Sequence, residues 1–194
     1  MQAQQEKRFD VLVFIGRFQP FHLAHKEVID IALSMSRQVL LILGSAQDER
    51  SIKNPFSVAE RKQMILASFA EQAQQRLIFV PIIDLYNNAR WCQAVKSAVA
   101  EQVKPEDKVG LIGHFKDESS YYLRLFPEWP LVELDNLKNA LSATPLRAQY
   151  YQGEINQDSF PAAVKAFLTD FQQSSWYPKL QQAYKQADER VILP

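Results

Sequence analysis

Apolar residues along this chain follow two rhythms. Short runs that are apolar at nearly every position, Val11 to Ile15, Val39 to Leu43, Leu77 to Val80 and Val109 to Ile112, alternate with longer stretches in which apolar residues recur at helical spacing. A run apolar on both faces suits a strand covered on both sides, the usual situation in a parallel sheet. Leu131 to Leu134 fits a fifth strand. Helices are expected at about His25 to Ser36, Val58 to Ala70, Arg90 to Glu101 and Ser119 to Phe126. Ser57 followed by Glu60 has the form of a capping box, in which two side chains satisfy amides at opposite ends of a first turn. Asn88 is the expected cap of the third helix. Thr144 followed by Pro145 reads as an N-cap with proline at the first helical position, so a short helix is expected from Pro145. Beyond Gly153 the pattern is wholly helical, with Phe160, Val164, Phe167, Leu168 and Phe171, then Tyr177, Leu180 and Tyr184. The expectation is an α/β fold: a doubly wound, five-stranded parallel sheet domain over residues 1–152, with a helical extension over 153–194 packed on it. Such sheets bind ligands at the carboxyl ends of their strands, where strand order reverses.

The 194 residues are 47% hydrophobic, enough apolar material for a folded core, with a mean hydropathy of -0.25. The 22 basic residues balance the 22 acidic ones, so no global positive field is available to hold a nucleic-acid backbone. Cys92 is the single cysteine, which excludes an internal disulfide or a cysteine zinc cage and suits a reducing compartment. The polar start MQAQQEKRFD has no leader pattern, and no apolar run approaches the roughly 20 residues that span a bilayer. A cytoplasmic protein with no nucleic-acid or membrane partner is therefore expected, its oligomeric state left open. Of the five glycines none forms a GxG pair, so the dinucleotide fingerprint and the P-loop are both missing.

Two segments carry chemistry. After the first strand comes GRFQPFHLAH, where Gly16 admits a ligand close to the backbone and His22 and His25 lie three apart on a helix's first turn. Amides at a helix start favour an anion, and paired imidazoles can donate to it, so phosphate is the natural guest. The plainer reading is two capping or half-buried histidines. It weakens because only three histidines exist and the third, His114, also follows a strand. Near the other end, Ser142, Thr144 and Arg147 place two hydroxyls and a guanidinium around a second helix start. There they suit phosphate oxygens and the charge on a pyrophosphate leaving group. Taken alone, that string could be an ordinary capped helix.

Together these segments resemble the HxGH nucleotidylyltransferases, and specifically nicotinamide-mononucleotide adenylyltransferases of the type also found fused to a Nudix hydrolase. GRFQPFHLAH corresponds to the family's GRFQPxHxGH and LSATPLR to its ISxTxxR, with NPFSVAER and DLYNNARW between them. The resemblance runs from about Val11 to Arg147 and implies a Rossmann-like nucleotidylyltransferase fold whose two motifs face each other and grip ATP. By resemblance, Arg17, His22, His25 and Arg147 take the catalytic roles. Gly16, Phe18, Gly113, His114, Lys116, Asp117, Ser142 and Thr144 bind ATP. Two departures stand out: Ala24 replaces the glycine between the histidines, and no Nudix box is present.

The middle of the chain bears on the second substrate. Asp84, Asn88 and Trp91 follow the third strand, and a Trp face suits a cationic nicotinamide ring while Asn88 and Asp84 suit its carboxamide. The plainer reading of Trp91 is helix packing. Arg50 is the candidate for the mononucleotide's phosphate, against a solvated loop charge. The expected reaction is direct in-line transfer of adenylate from ATP to nicotinamide mononucleotide. It releases pyrophosphate and forms NAD, and its Mg2+ is carried by the triphosphate rather than by protein ligands. Rivals are another acceptor, nicotinic acid mononucleotide or phosphopantetheine, and a nucleotide-sensing module without turnover, for which Ala24 is the one hint.

Overall fold

The computed structural model describes residues 7–47, 49–114, 118–135, 137–138 and 141–192, with the side chains of 118–119 and 189–192 left out. The elements are β1 (Phe9–Gly16), α1 (Leu23–Met35), β2 (Ser36–Leu43), α2 (Val58–Leu66), α3 (Glu71–Gln74), β3 (Leu77–Pro81) and α4 (Asn88–Ala100). Then come β4 (Val109–Gly113), a 3-10 helix (Glu118–Arg124), β5 (Leu131–Glu133), α5 (Ala143–Tyr151), α6 (Ala162–Phe171) and α7 (Trp176–Ile192). All five expected strands are present, and they form one parallel sheet in the order β3-β2-β1-β4-β5. The order reverses at β1, which pairs with both β2 and β4. The carboxyl ends of β1 and β4, at Gly16 and Gly113, therefore flank the switch point.

Described residues fall into two compact units. The first comprises Met1–Arg17, Glu27–Gln47 and Ala70–Lys138, and the second Phe18–Lys26, Asp48–Phe69 and Asn139–Pro194. The first unit is the sheet with its helices. Alternation along the strands sends Val11, Val13, Ile15, Leu40, Ile42, Val80 and Leu111 into one buried cluster with Val95 and Val99 of α4 and with Leu123 and Phe126. Residues of opposite parity, Leu12, Val39, Leu41, Leu43 and Ile112, are fully buried as well, which explains the continuous apolar runs. The end of α1 is closed by side chains from elsewhere in this unit. Lys7 Nζ donates to the Leu33 and Ser34 carbonyls and Arg76 Nη2 to that of Leu33, satisfying carbonyls that the helix leaves open, and Arg76 Nη2 also reaches Ser36 O at the start of β2.

The second unit is helical and built on aromatic contacts. Phe56 packs edge-on against Phe167 and Phe171, and Tyr150 lies 5.0 Å from Tyr177 between ring centroids. The hydroxyl of Tyr150 donates to Leu168 O at 2.8 Å, that of Tyr177 to Tyr150 O at 2.6 Å, and that of Tyr151 to Ile52 O at 2.9 Å. The division expected at 152/153 is accordingly not where the units part. The buried faces of Tyr150 and Tyr151 belong to the same core as α6 and α7, so the last helices form a unit with α5 and α2 rather than an appendage.

Local chemistry differs from expectation in three places. The helix expected to reach Ala70 stops at Leu66, where the Ser68 hydroxyl donates to Met64 O, and Ala70 starts the short α3. The helix expected at Ser119 to Phe126 is the tighter 3-10 form over Glu118–Arg124. And α5 begins at Ala143 rather than Pro145, with Ser142 instead of Thr144 at the cap position. Proline is tolerated inside the first turn because amides there have no partner within the helix.

Candidate active site

Both candidate motifs contribute to the second unit, and there the structure joins them. Gln19 is buried and bonds reciprocally with the backbone of Phe56: its Nε2 donates to Phe56 O at 2.8 Å, and its Oε1 accepts from Phe56 N at 2.9 Å. The carbonyl of the same Gln19 accepts from Arg147 Nη1 at 2.8 Å, and Arg147 Nη2 donates to Thr144 Oγ1 at 3.3 Å. A buried guanidinium thus ties the helix start of α5 to the GRFQP segment across 128 positions of sequence. The Ser142 side chain makes no capping bond, and Ser142 and Thr144 are both exposed.

His22 and His25 act together at the start of α1. His22 O accepts from Lys26 N, so His22 stands at the cap position and His25 at the third residue of the helix. His25 N donates to His22 Nδ1 and His22 N to His25 Nδ1, each at 3.4 Å. This has the logic of a capping box with imidazoles in place of Ser and Glu, and the plainer reading of HxxH as a cap describes its local structure. With both Nδ1 atoms accepting, a neutral ring carries its proton on Nε2. The rings stack 3.6 Å apart, and His25 also contacts Phe18 and Phe21. Phe18 is buried at a φ of 52°, the left-handed region that a bulky residue adopts only when its surroundings hold it there. Ala24, in place of the motif glycine, is buried within this turn.

Arg50 is engaged inside the second unit. Its guanidinium holds the Glu60 carboxylate through two bonds of 2.6 and 2.9 Å, donates to Pro55 O, and lies over the rings of Phe171 and Trp176. The capping box is present as expected, since Glu60 Oε2 accepts from Ser57 N and Ser57 Oγ from Glu60 N. Burial alone would raise the Glu60 pKa, but the Arg50 and Ser57 donors outweigh it and leave the carboxyl below its ordinary range.

The first unit holds the remaining candidates, at the carboxyl edge of its sheet. Gly16 ends β1, accepts from Gly44 N at 3.0 Å, and is followed by the exposed Arg17. Gly113 ends β4, and a Cβ built there would lie 2.7 Å from Leu123 Cδ2, so any side chain at that position would have to displace Leu123 of the 3-10 helix. His114 is bonded through Nδ1 to Leu134 O, which places its proton on Nδ1 and leaves Nε2 as the acceptor. Lys116 and Asp117 lie outside the described residues. After β3, Asp84 is half-buried, and Tyr86 is 95% exposed at a φ of 50°. The cap of α4 is Asn87, whose side chain accepts from Arg90 N at 2.9 Å, so Asn88 is the first helical residue and not the expected cap. Asn88 Oδ1 accepts instead from the Tyr121 hydroxyl at 3.0 Å. Trp91 is half-buried, its ring edge-on to Tyr122 and Phe126. The buried Tyr122 hydroxyl, its pKa pushed up to about 12 by burial, donates to Ile15 O next to Gly16.

Gln19, Asn87, Tyr121 and Tyr122 are the residues that sequence reasoning missed. Gln19 stood inside a quoted motif without a role, and the adjacent tyrosines of SSYYLR carried a usable signal, because a tight helix sends neighbouring polar tips to different partners.

The cytidylyltransferase-like family model matches residues 13–114. A relative from Acinetobacter baylyi, a nicotinamide/nicotinic acid mononucleotide adenylyltransferase, is 56% identical over 186 residues, 96% of this chain and 99% of that one. A nicotinamide-nucleotide adenylyltransferase from Thermococcus kodakarensis is 29% identical over 81% of each chain. Among solved structures, a bifunctional NMN adenylyltransferase/ADP ribose pyrophosphatase from Francisella tularensis superposes with a TM-score of 0.85 at 34% identity. That match covers 96% of this chain and 57% of the other, so this chain spans little more than half of the bifunctional protein. With the expected parallel sheet, two motifs tied together by Arg147, and these likenesses, the chain belongs to the cytidylyltransferase-like family, among its nicotinamide-mononucleotide adenylyltransferases.

Proposed function

We propose that this chain transfers the adenylyl group of ATP to nicotinamide mononucleotide, forming NAD and pyrophosphate. The observation that carries the reading is the union of the two phosphate motifs in the second unit, with Arg147 bonded to Gln19 O and the two histidines sharing one helix start. A mononucleotide phosphate oxygen attacks the α-phosphorus in line. The bond from that phosphorus to the bridging oxygen breaks, and its electron pair leaves on pyrophosphate. The incoming phosphate is already an anion, so no protein nucleophile is needed, and catalysis consists of positioning and of donors aimed at the developing charge.

His22 and His25, donating from Nε2, together with Arg147 and the amides opening α1 and α5, are assigned to the triphosphate. Arg17 and Gly16 are assigned to ATP as well. ATP enters as its Mg2+ complex. Gly113, His114, Lys116 and Asp117 are assigned to the adenosine, and Asp84, Asn88 and Trp91 to the nicotinamide. Arg50, whose donors meet Glu60, remains a candidate for the mononucleotide phosphate only through exchange of that partner. Among the described residues no helix is long and apolar enough to cross a membrane, and the partners assigned are small molecules.

Purified protein with ATP, Mg2+ and nicotinamide mononucleotide is expected to release NAD and pyrophosphate in equal amounts. Phosphopantetheine in place of the mononucleotide is expected to give no product. ATP binding without dinucleotide formation under any divalent metal would overturn the reading in favour of a sensing module.

A further inference from the structure

The stretch through Phe18 and Gln19 holds its backbone in a conformation that needs outside support. Phe18 is buried at a φ of 52°, a region costly to a bulky residue, and a chain so placed relaxes unless its neighbours fix it. The next residue, Gln19, is 1% exposed and supplies such a fixed point. Its amide meets both main-chain groups of Phe56, Nε2 donating to the carbonyl at 2.8 Å and Oε1 accepting from the N–H at 2.9 Å. Only one orientation of the amide satisfies both bonds, so the pair fixes rotation as well as place. Releasing either end would leave a buried polar group without a partner.

That clamp has a consequence at the carbonyl of the same residue, which accepts from Arg147 Nη1 at 2.8 Å. Arg147 Nη2 donates to Thr144 Oγ1, one turn back on α5, and that contact moves with the helix. Gln19 O therefore holds the guanidinium from outside α5. A guanidinium is planar with five N–H donors in fixed directions, so where one nitrogen is held decides where the others point.

We propose that the Gln19 side chain is a positioning residue for Arg147: by clamping its own main chain to Phe56, it holds the carbonyl that aims the guanidinium at the charge developing on pyrophosphate. The inference rests on the role assigned to Arg147 in adenylyl transfer. Gln19 is buried and acts through the arginine, so its loss slows the chemical step and leaves substrate binding largely intact. Gln19→Met keeps the length of the side chain and removes both bonds to Phe56. Its single-turnover rate of dinucleotide formation is expected to fall roughly thirtyfold, while the half-saturating concentrations of ATP and mononucleotide stay within about threefold. Gln19→Asn keeps the amide but is one methylene short of reaching both groups of Phe56. It is expected to lose roughly tenfold, and it retains a polar partner for Phe56 should the methionine variant fail to fold.

The test is a double-variant cycle in single-turnover rate over wild type, Gln19→Met, Gln19→Asn, Arg147→Ala and the two double variants, each assayed below its melting temperature. With Arg147 removed there is no guanidinium left to aim, so either change at Gln19 is expected to alter the remaining rate by less than about twofold. A merely structural role would lower the rate by the same factor in both backgrounds, and that result overturns the proposal, as does a full rate in both Gln19 variants. Tyr177→Phe, which removes the hydroxyl bond to Tyr150 O in the same unit, controls for lost stability and should keep the rate within about twofold. An equal slowing in that control would make the effect of Gln19 one of stability and overturn the proposal too. If wild type forms no dinucleotide, the function itself fails and the proposal with it; if wild type is active and the cycle shows no coupling, the function stands and the role of Gln19 is lost.

Discussion

At the level of single residues, the histidine pair shows how one geometry serves folding and chemistry. Each Nδ1 accepts a backbone N–H, which helps close the first turn of α1 and at the same time orients an Nε2–H donor. Replacing His25 by Ala removes half of this cap, at a cost of about 1 kcal/mol in unfolding free energy. On the role proposed for His25, the substitution also removes a donor whose contact strengthens as charge moves onto the phosphates. Turnover should fall roughly a hundredfold or more while the KM for ATP changes only a few fold, and steady-state kinetics beside a urea titration separate the two effects. Asp84 belongs at this scale too. On its proposed assignment to the nicotinamide end, its carboxylate repels the carboxylate of nicotinic acid. The amide form should be preferred by about 1 to 3 kcal/mol in kcat/KM, and Asp84→Asn should shrink that preference. An equal ratio in wild type and variant would detach Asp84 from the nicotinamide end.

Among the elements, the start of α2 is the best-defined boundary in the chain. Ser57, Glu60 and Arg50 form one network there, and the rings of Phe171 and Trp176 lie under the guanidinium. Since the folded-state pKa of Glu60 lies below the ordinary 4.5, the unfolded chain takes up this proton first as pH falls. The stability contributed by Glu60 is complete above the ordinary value and is lost as pH drops through the lower, folded one. Wild type and Glu60→Gln should therefore differ in urea midpoint at neutral pH and converge in acid. Arg50→Lys, which keeps the charge but loses the two-pronged bond, should cost about 1 to 2 kcal/mol at neutral pH. It also settles the older expectation for Arg50. An unchanged KM for the mononucleotide in that variant makes the residue structural, and a rise of tenfold or more returns it to the phosphate.

Taken as a whole, the molecule has two cores of different chemistry. The sheet unit is held by aliphatic side chains, while the second unit relies on tyrosines whose hydroxyls reach backbone carbonyls. Burial pushes the ionisations of Tyr150, Tyr151 and Tyr177 above the ordinary 10.0. Their contribution is present in full below that value. It is lost as pH rises further, because the unfolded chain ionises where the folded chain does not. Alkaline unfolding should begin above pH 10 and should be followed more sensitively by signals from the helical unit than from the sheet. Tyr150→Phe should cost about 1 kcal/mol at neutral pH by leaving Leu168 O with the Gln172 N–H alone, and should make the alkaline decline shallower.

What the chain determined by itself was whatever has a local cause. Four apolar runs became parallel strands because burial on both faces favours apolar residues at nearly every position, and the partly buried Leu131–Glu133 closes the sheet at its edge. Ser57 and Glu60 became a capping box because the two lie one turn apart. The two motifs that Arg147 joins were legible as strings, because each sets polar side chains beside an expected helix start. Decisions between neighbours or across long separations were not legible. Nothing local says that Asn87 rather than Asn88 caps α4, since either side chain reaches an amide one turn on; the hydroxyl of Tyr121, far along the chain, engages the other. Nor does anything local say that the tyrosines just before residue 152 bond into the helices that follow it. That Arg147 reaches Gln19 and Arg50 reaches Glu60 was likewise decided by tertiary structure. A long cationic side chain has no preferred partner until folding removes water and leaves it an acceptor to meet.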